Sequence, residues 1–227
     1  MKKIIALLMI LALTFLATAC GDGEGDPDYV SEINTMYSVS IPTKSVSVVK
    51  YEFASYTLTD KTTVVSGKVD GTLAAAVMTE ETQRLRSVED GSGVEVVDFI
   101  ETVTTVTEYL EGKGTRVTGK KKWDADGQNF AFTQGSIALG ITSDNVKDVK
   151  KVDNTYTFIV TPDNTEAVFG EAIPSTVEVT VIHDGASVVG LKLSYVVAAN
   201  NEASTPETTV TVDIVYSYDI EKITIGG

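Results

Sequence analysis

The sequence predicts a mainly β protein, α+β at most: an antiparallel sheet of about ten strands with one or two short helices. Three observations carry this. Val (31) and Thr (30) dominate a chain of 227 residues, and β-branched side chains suit a pleated surface and are stiff in a helix. Leu, the commonest helix-core residue, falls to seven positions after residue 20, which excludes a helical bundle. Between Ser45 and the C-terminus the apolar period is two for most of the length, broken by Asp-Gly and Gly-Lys-Gly turn signals.

The elements follow in order. Val30, Ile33, Met36 and Tyr37 recur at helical spacing and predict a short helix that Pro42 ends. Ser47, Val49, Tyr51 and Phe53 then alternate with Lys50 and Glu52. Val65, Gly67, Val69, Leu73, Ala75 and Val77 form a second such run, with a turn between the two near Thr59-Asp60-Lys61. Glu80–Arg86 reads either as more strand or as a helical turn. After the turn signal Asp90-Gly91-Ser92-Gly93 comes a long strand region, Val94–Leu110. Glu111-Gly112-Lys113-Gly114 leads into Thr115–Trp123, and Asp126-Gly127 into Asn129–Thr133. From Gln134 to Val152 the alternation stops. Val146, Val149 and Val152, separated by Asp and Lys, read as a short amphipathic helix capped by Ser143 or Asp144. Tyr156, Phe158 and Val160 resume the strand pattern, and Thr165–Phe169 has room for a helical turn. Val177–Val181 and Val189–Val197 form a hairpin through His183-Asp184-Gly185. The last strand carries Val210 to Ile220, with a change of parity near Glu221-Lys222 that predicts a bulge.

The first twenty residues are an address. Lys2 and Lys3 precede an apolar run, Ile4–Leu16, too short for a spanning helix, which needs roughly 20 apolar residues. It has the build of a secretory signal peptide. Leu16-Ala17-Thr18-Ala19-Cys20 resembles a bacterial lipobox, in which the Cys becomes the first mature residue and carries acyl chains. Cys20 is the only Cys, so no internal disulfide and no thiol catalysis are expected. Residues 1–19 read as signal peptide, 20–44 as the lipidated Cys with a flexible acidic stalk and the short helix, and 45–227 as the β domain. The protein is expected outside the cytoplasm, held by its lipid to the cell membrane or outer membrane. The net charge is −14, and loss of Lys2 and Lys3 takes it to −16. Such a body is repelled by anionic lipid and lacks the basic stripe that nucleic-acid binding needs.

The order of features resembles the LolA-like superfamily of lipoprotein carriers, including LprG-type lipoproteins. The matching stretches are the lipobox and stalk, Ser45–Phe53, Val64–Val77, Glu108-Tyr109-Leu110-Glu111-Gly112, and the basic run ending in Trp123. The interruption before Asn154–Phe158 and the hairpin at Asp184-Gly185 complete the match, over roughly residues 45–225. The resemblance implies a curved sheet or incomplete β-barrel whose concave side holds lipid or an acyl chain. On that footing Trp123 and Phe130 would line the concave face, and Val146 and Val149 would form the lid.

The remaining chemistry is sparse. His183 is the only His and, beside Asp184-Gly185, reads as a surface turn residue rather than a general base. Zinc and catalytic-triad sets are therefore not expected. Asp124-Ala125-Asp126-Gly127-Gln128-Asn129 has part of a calcium-loop spacing but lacks the later Glu and is better explained as a turn. Lys120-Lys121-Lys122 reads as the charged guard of an edge strand. Phe130 and Phe132, Tyr156 and Phe158, and Tyr216 and Tyr218 read as core pairs. No enzyme, cofactor or metal is expected. The expected function is a membrane-anchored binding module for lipid, an acyl chain or another apolar ligand. The alternative is an interaction or structural lipoprotein with a filled core and no ligand.

Overall fold

The alternation of β-branched residues appears as eleven antiparallel strands in the computed structural model, which describes residues 28–69, 73–89, 95–110, 113–118, 121–124, 131–200, 205–219 and 223. Helix α1 (Tyr29–Val39) precedes β1 (Lys44–Glu52), β2 (Thr57–Val69), β3 (Leu73–Glu89), β4 (Glu95–Leu110), β5 (Lys113–Thr118) and β6 (Lys121–Asp124). Then come β7 (Lys147–Val152), β8 (Thr155–Val160), α2 (Thr165–Phe169), β9 (Val177–His183), β10 (Val188–Val197) and β11 (Thr208–Ser217). The hydrogen-bonded order is β6-β5-β4-β3-β2-β1-β11-β10-β9-β8-β7. The protein is mainly β, as the composition implies, and its antiparallel sheet is unclosed. The chain packs as two compact units, residues up to 41 with 132–193, and 42–131 with 194–227.

In the first unit α1 starts at Asp28, whose Oδ1 accepts the Ser31 N–H at 3.0 Å. This satisfies one of the unpaired amides of the first turn. Its apolar stripe, Ile33, Met36 and Tyr37, is buried. Asn34 Nδ2 donates to the Ile141 carbonyl at 3.1 Å, and Gln134 donates to the carbonyl of Ser38, so hydrogen bonds also hold the helix along the side that carries Asn34 and Ser38. The strands contribute Tyr156, Phe158, Val160, Val177, Val179, Val181, Val188 and Leu191, each at 2% exposure or less. With Val168 and Phe169 of α2 they fill this core.

The amphipathic helix expected at 143–152 is not formed. A turn at 143–145, held by Thr142 N–H on Asn145 Oδ1 at 2.7 Å, leads straight into β7. The Val-x-x-Val spacing that imitated a helix is a β-bulge. Lys147 pairs with Ile159 and Lys150 with Thr157, three steps on β7 against two on β8, and Asp148 takes φ 53°. The extra residue shifts the alternation of β7, so that Val149, three residues after buried Val146, is half-buried. The helical turn expected at 165–169 is formed as α2.

In the second unit β1 is the middle strand of the β2-β1-β11 set, with Ser45 opposite both Val64 and Tyr216. The turn expected at Thr59-Asp60-Lys61 lies instead at 53–56. There the Phe53 N–H donates to the Tyr56 carbonyl at 2.9 Å and the two rings stack at 4.5 Å. Residues 80–86 are strand. In β2 the buried parity is Asp60, Thr62, Val64 and Ser66, not the Val65 parity. Residues 131–133 are not strand, and β11 ends at Ser217 with Ile223 buried beyond it. The turns expected at 90–93 and 126–127, the calcium-like loop and the bulge at 221–222 lie outside the described residues.

Asp60 has a structural task. Pairing of β2 with β3 ends at Asp60 opposite Thr82. The next two amides are met by side chains: Gln83 N–H donates to Asp60 Oδ1 at 3.0 Å, and Thr59 N–H to Gln83 Oε1 at 2.8 Å. Burial pushes the Asp60 carboxyl up and the Gln83 bond offsets part of this. Beyond this clasp, among the described residues, β3 pairs only with β4 from Gln83 to Glu89, and β5 joins β4 only from Thr105 onward. Arg84 braces the base of this two-stranded ribbon through Glu101 at 2.8 Å.

Candidate functional site

The described chemistry gathers at the N-terminal half of α1. Two open clefts flank it. One, of about 520 Å³, is lined by Asp28, Tyr29, Val30, Ser143, Val146, Val149, Lys150 and Lys151. The other, of about 480 Å³, is bounded by Glu32, Met36, Lys151, Tyr156, His183 and Gly185 among others. Both are open to solvent.

A polar staple separates them. Glu32 Oε2 accepts from Lys151 Nζ at 2.8 Å and from the Tyr156 hydroxyl at 2.5 Å. The Lys151 ammonium stands 5.0 Å from the Tyr156 ring centre and 6.0 Å from that of Tyr29, and the two rings meet edge to face at 5.9 Å. The bonds from Lys151 and Tyr156 hold the Glu32 carboxyl below the usual range. The Glu32 bond raises Lys151. Burial, then the Glu32 bond, raises the Tyr156 hydroxyl. Each partner is kept in its present protonation state at neutral pH, so the staple is static around neutrality.

His183 is not the surface turn residue that the sequence suggests. The β9 alternation of Val177, Val179 and Val181 carries His183 inward on the same parity, and it is 7% exposed. Gly185 N–H donates to its Nδ1 at 3.0 Å, so a neutral ring carries its proton on Nε2, which is buried with no hydrogen-bond partner among the described residues. The Tyr156 ring lies 5.1 Å away. Gly185 takes φ 101°, which a residue with a Cβ rarely adopts. The Asp184 carboxylate completes the turn by accepting the Ala186 and Ser187 amides at 2.9 and 2.8 Å.

Burial and then the nearby Lys151 charge lower the His183 pKa. The folded state therefore takes up its proton only at a pH below the unfolded value of about 6.5. The stability tied to the neutral ring is complete above that value and is lost as pH falls from there through the folded pKa. His183 is the only His, so no second imidazole contributes, while burial also raises the carboxyls of Asp60 and Glu171. Urea unfolding at pH 7.5 and 5.5 is expected to show lower stability at 5.5. In His183→Asn, whose amide oxygen can still accept the Gly185 N–H, the difference should shrink. An equal difference in the variant would assign it to carboxylates.

Of the residues singled out from sequence, Val146 and Val149 do line a cleft: Val146 is 6% exposed and Val149 half-buried. Val146 immediately precedes β7 and Val149 lies in it, so neither is on a helix. The backbone of Trp123 lies in β6, opposite Arg116. Its side chain and all of Phe130, like Cys20, lie outside the described residues. Lys121 and Lys122 belong to β6, which ends the strand order. Tyr156 and Phe158 are core, as is Tyr216, while Tyr218 is half-buried. Sequence reading missed Tyr29, Glu32 and Lys151 as a group, because Glu32 and Lys151 are 119 residues apart and no local pattern joins them.

No known family matches the sequence, and no curated protein does. Similarity to solved structures is slight. A DUF1329 family protein from Desulfovibrio piger shares 11% identity at a TM-score of 0.25, over 86% of this chain and 91% of that one. MucB in complex with periplasmic MucA shares 8% at 0.14, over 83% and 92%. The MucA/MucB complex of Pseudomonas aeruginosa shares 10% at 0.15, over 83% and 94%. At such scores the likeness carries no argument. Among the described residues no helix is long and apolar enough to cross a membrane, and no group of three His, Cys, Asp or Glu is placed to hold a metal ion.

Proposed function

We propose that this protein is an extracytoplasmic lipoprotein, tethered through Cys20, whose β domain binds an apolar or amphiphilic ligand in the cleft beside α1. The observation that carries the reading is the wall formed by Tyr29, Val30, Val146 and Val149. It joins apolar groups from two distant chain segments in an open cleft while the core behind it is already filled. The resemblance of the leader to a lipobox, and of the order of sequence features to LolA-like carriers, supports the same reading. The tether adds a geometric argument. Asp28 is eight residues from Cys20, a span of at most about 26–29 Å fully extended. A lipid on Cys20 would keep the cleft within that distance of the bilayer.

The filled core of the first unit favours a second reading, an interaction domain that works through its outer surface with no small ligand. One experiment separates the two. Organic extracts of the protein purified from cells, analysed by mass spectrometry, should contain a co-purifying apolar molecule that Val149→Asp removes without changing the unfolding midpoint. A clean extract, with no uptake of an apolar fluorescent probe, would leave the interaction reading.

A further inference from the structure

We infer that His183 is an acid-operated latch: on protonation its ring leaves the Tyr156 face, and α1 opens from the sheet while the strands stay paired. The neutral ring is matched to its seat by one bond, the Gly185 N–H on Nδ1 at 3.0 Å. Nε2 is buried with no hydrogen-bond partner among the described residues. A second proton would sit on Nδ1 and set two donors against each other. It would also place a full charge on a ring that is 7% exposed and lies 5.1 Å from the Tyr156 ring. The charged and titratable groups around it are Asp28 and Glu32 at the start of α1, Lys151 of β7, Tyr156 of β8 and Asp184 of its own turn. The Asp184 carboxylate is taken by the Ala186 and Ser187 amides, and Glu32 brings the Lys151 ammonium with it at 2.8 Å. Burial and the Lys151 charge outweigh the attraction of Asp184 and Glu32.

The charged ring reaches water through the cleft that it shares with Ser31, Glu32, Thr35 and Met36 of α1. On this side α1 is held by the Glu32 staple and by the Ser187 hydroxyl, which donates to that of Ser40 at 3.0 Å. Both depend on the seat of the ring: Tyr156 carries it, and Ser187 belongs to the turn that Nδ1 helps to close. Their loss leaves α1 on its Asn34 and Gln134 bonds. With 11 residues, α1 is below the roughly 12–15 at which an isolated helix is even marginal in water, so it lasts only while packed. Strands β8 and β9, in contrast, are paired without a break from Thr155 to Val160. Residues of α1 line both clefts, so its opening takes a wall from each and uncovers the stripe of Ile33, Met36 and Tyr37. The neutral ring favours the closed state. The opening constant is therefore flat above about pH 6.5, rises as pH falls from there to the folded midpoint of the imidazole, and levels off below it.

The test uses residues 20–227 carrying Cys20→Ser and no polyhistidine tag, followed by NMR. His183 is the only His, so the imidazole C–H signals report it unmixed, and their midpoint should lie below about 6.5. Amide exchange, corrected for the intrinsic rate at each pH, should show α1 less protected at pH 7.5 than Val179 and Val181 of β9. Between pH 7.5 and 5.5 the protection of α1 should fall about tenfold if the imidazole midpoint is below 5.5, and by correspondingly less for a higher midpoint. His183→Asn, whose amide oxygen can still accept the Gly185 N–H, should keep α1 protection constant over that range. Protection of α1 that does not change with pH in the parent would overturn the latch. So would α1 amides as protected as those of β9, which would leave only global unfolding. An equal fall in His183→Asn would pass the effect to carboxylates and overturn it too. If the variant does not fold, the parent decides: the fall must set in near pH 6.5 and stop at the imidazole midpoint, and any other course rejects the latch.

Discussion

Tyr156→Ala is expected to destabilise the protein by about 3–5 kcal/mol, the range for deleting a buried large aromatic side chain. Tyr156 is 1% exposed and its ring touches those of Tyr29 and His183. Truncation leaves a cavity beneath α1 and takes one of two donors from Glu32. Since whole-domain stability is typically about 5–15 kcal/mol, the variant should be marginal at 37 °C. Tyr156→Phe separates the two contributions. It keeps the ring and removes only a hydrogen bond to a part-exposed carboxylate, with an expected loss of about 0.5–1.5 kcal/mol. Urea midpoints of both variants check this. A loss below about 1 kcal/mol for Tyr156→Ala would mean that α1 is not held on this ring.

Gly140→Ala should have the second large effect, although the change is one methyl group. A Cβ at Gly140 would stand 2.3 Å from the Ala167 carbonyl oxygen. That is backbone and cannot rotate away. The close approach exists because Gly140 N–H donates to the Val168 carbonyl at 3.0 Å, and Asn145 Nδ2 donates back to the Gly140 carbonyl at 2.8 Å. The segment before β7 is thereby laid directly on α2. Relief of the clash requires α2 to move, and with it buried Val168 and Phe169. The expected loss is at least the 1–3 kcal/mol typical of overpacking, read as a lowered Tm. A neutral outcome would show that this segment lifts freely from α2.

The architecture was legible because the β-branched residues set both period and composition. Helix α1 and the β9–β10 hairpin stand where the pattern places them. The errors have physical causes. Val146 and Val149 follow a spacing of three that a helix and a bulged strand share, and only the register against β8 tells them apart. Asp60-Lys61 looks like a turn because Asp is rare inside strands, yet Asp60 is there to bond an amide that loses its ladder partner. His183 looked like a turn residue from its neighbours Asp184 and Gly185. Counting parity back to Val177 places it inside. The candidate site was half legible: Val146 and Val149 stand out as regularly spaced apolar residues among Asp and Lys, whereas the Glu32–Lys151–Tyr156 staple depends on a contact that exists only after folding.

The ribbon beyond the Asp60–Gln83 clasp gives the second unit an uneven stability. Its strands are bonded to each other and, among the described residues, to no third strand, and a lone two-stranded hairpin is marginal in water. The clasp therefore acts as a firebreak. Fraying that starts at the far end of β3 and β4 is arrested where Gln83 and Asp60 tie β3 to β2, so the ribbon can open and close as a small cooperative unit of its own while the ladders of β1, β2 and β11 stay shut.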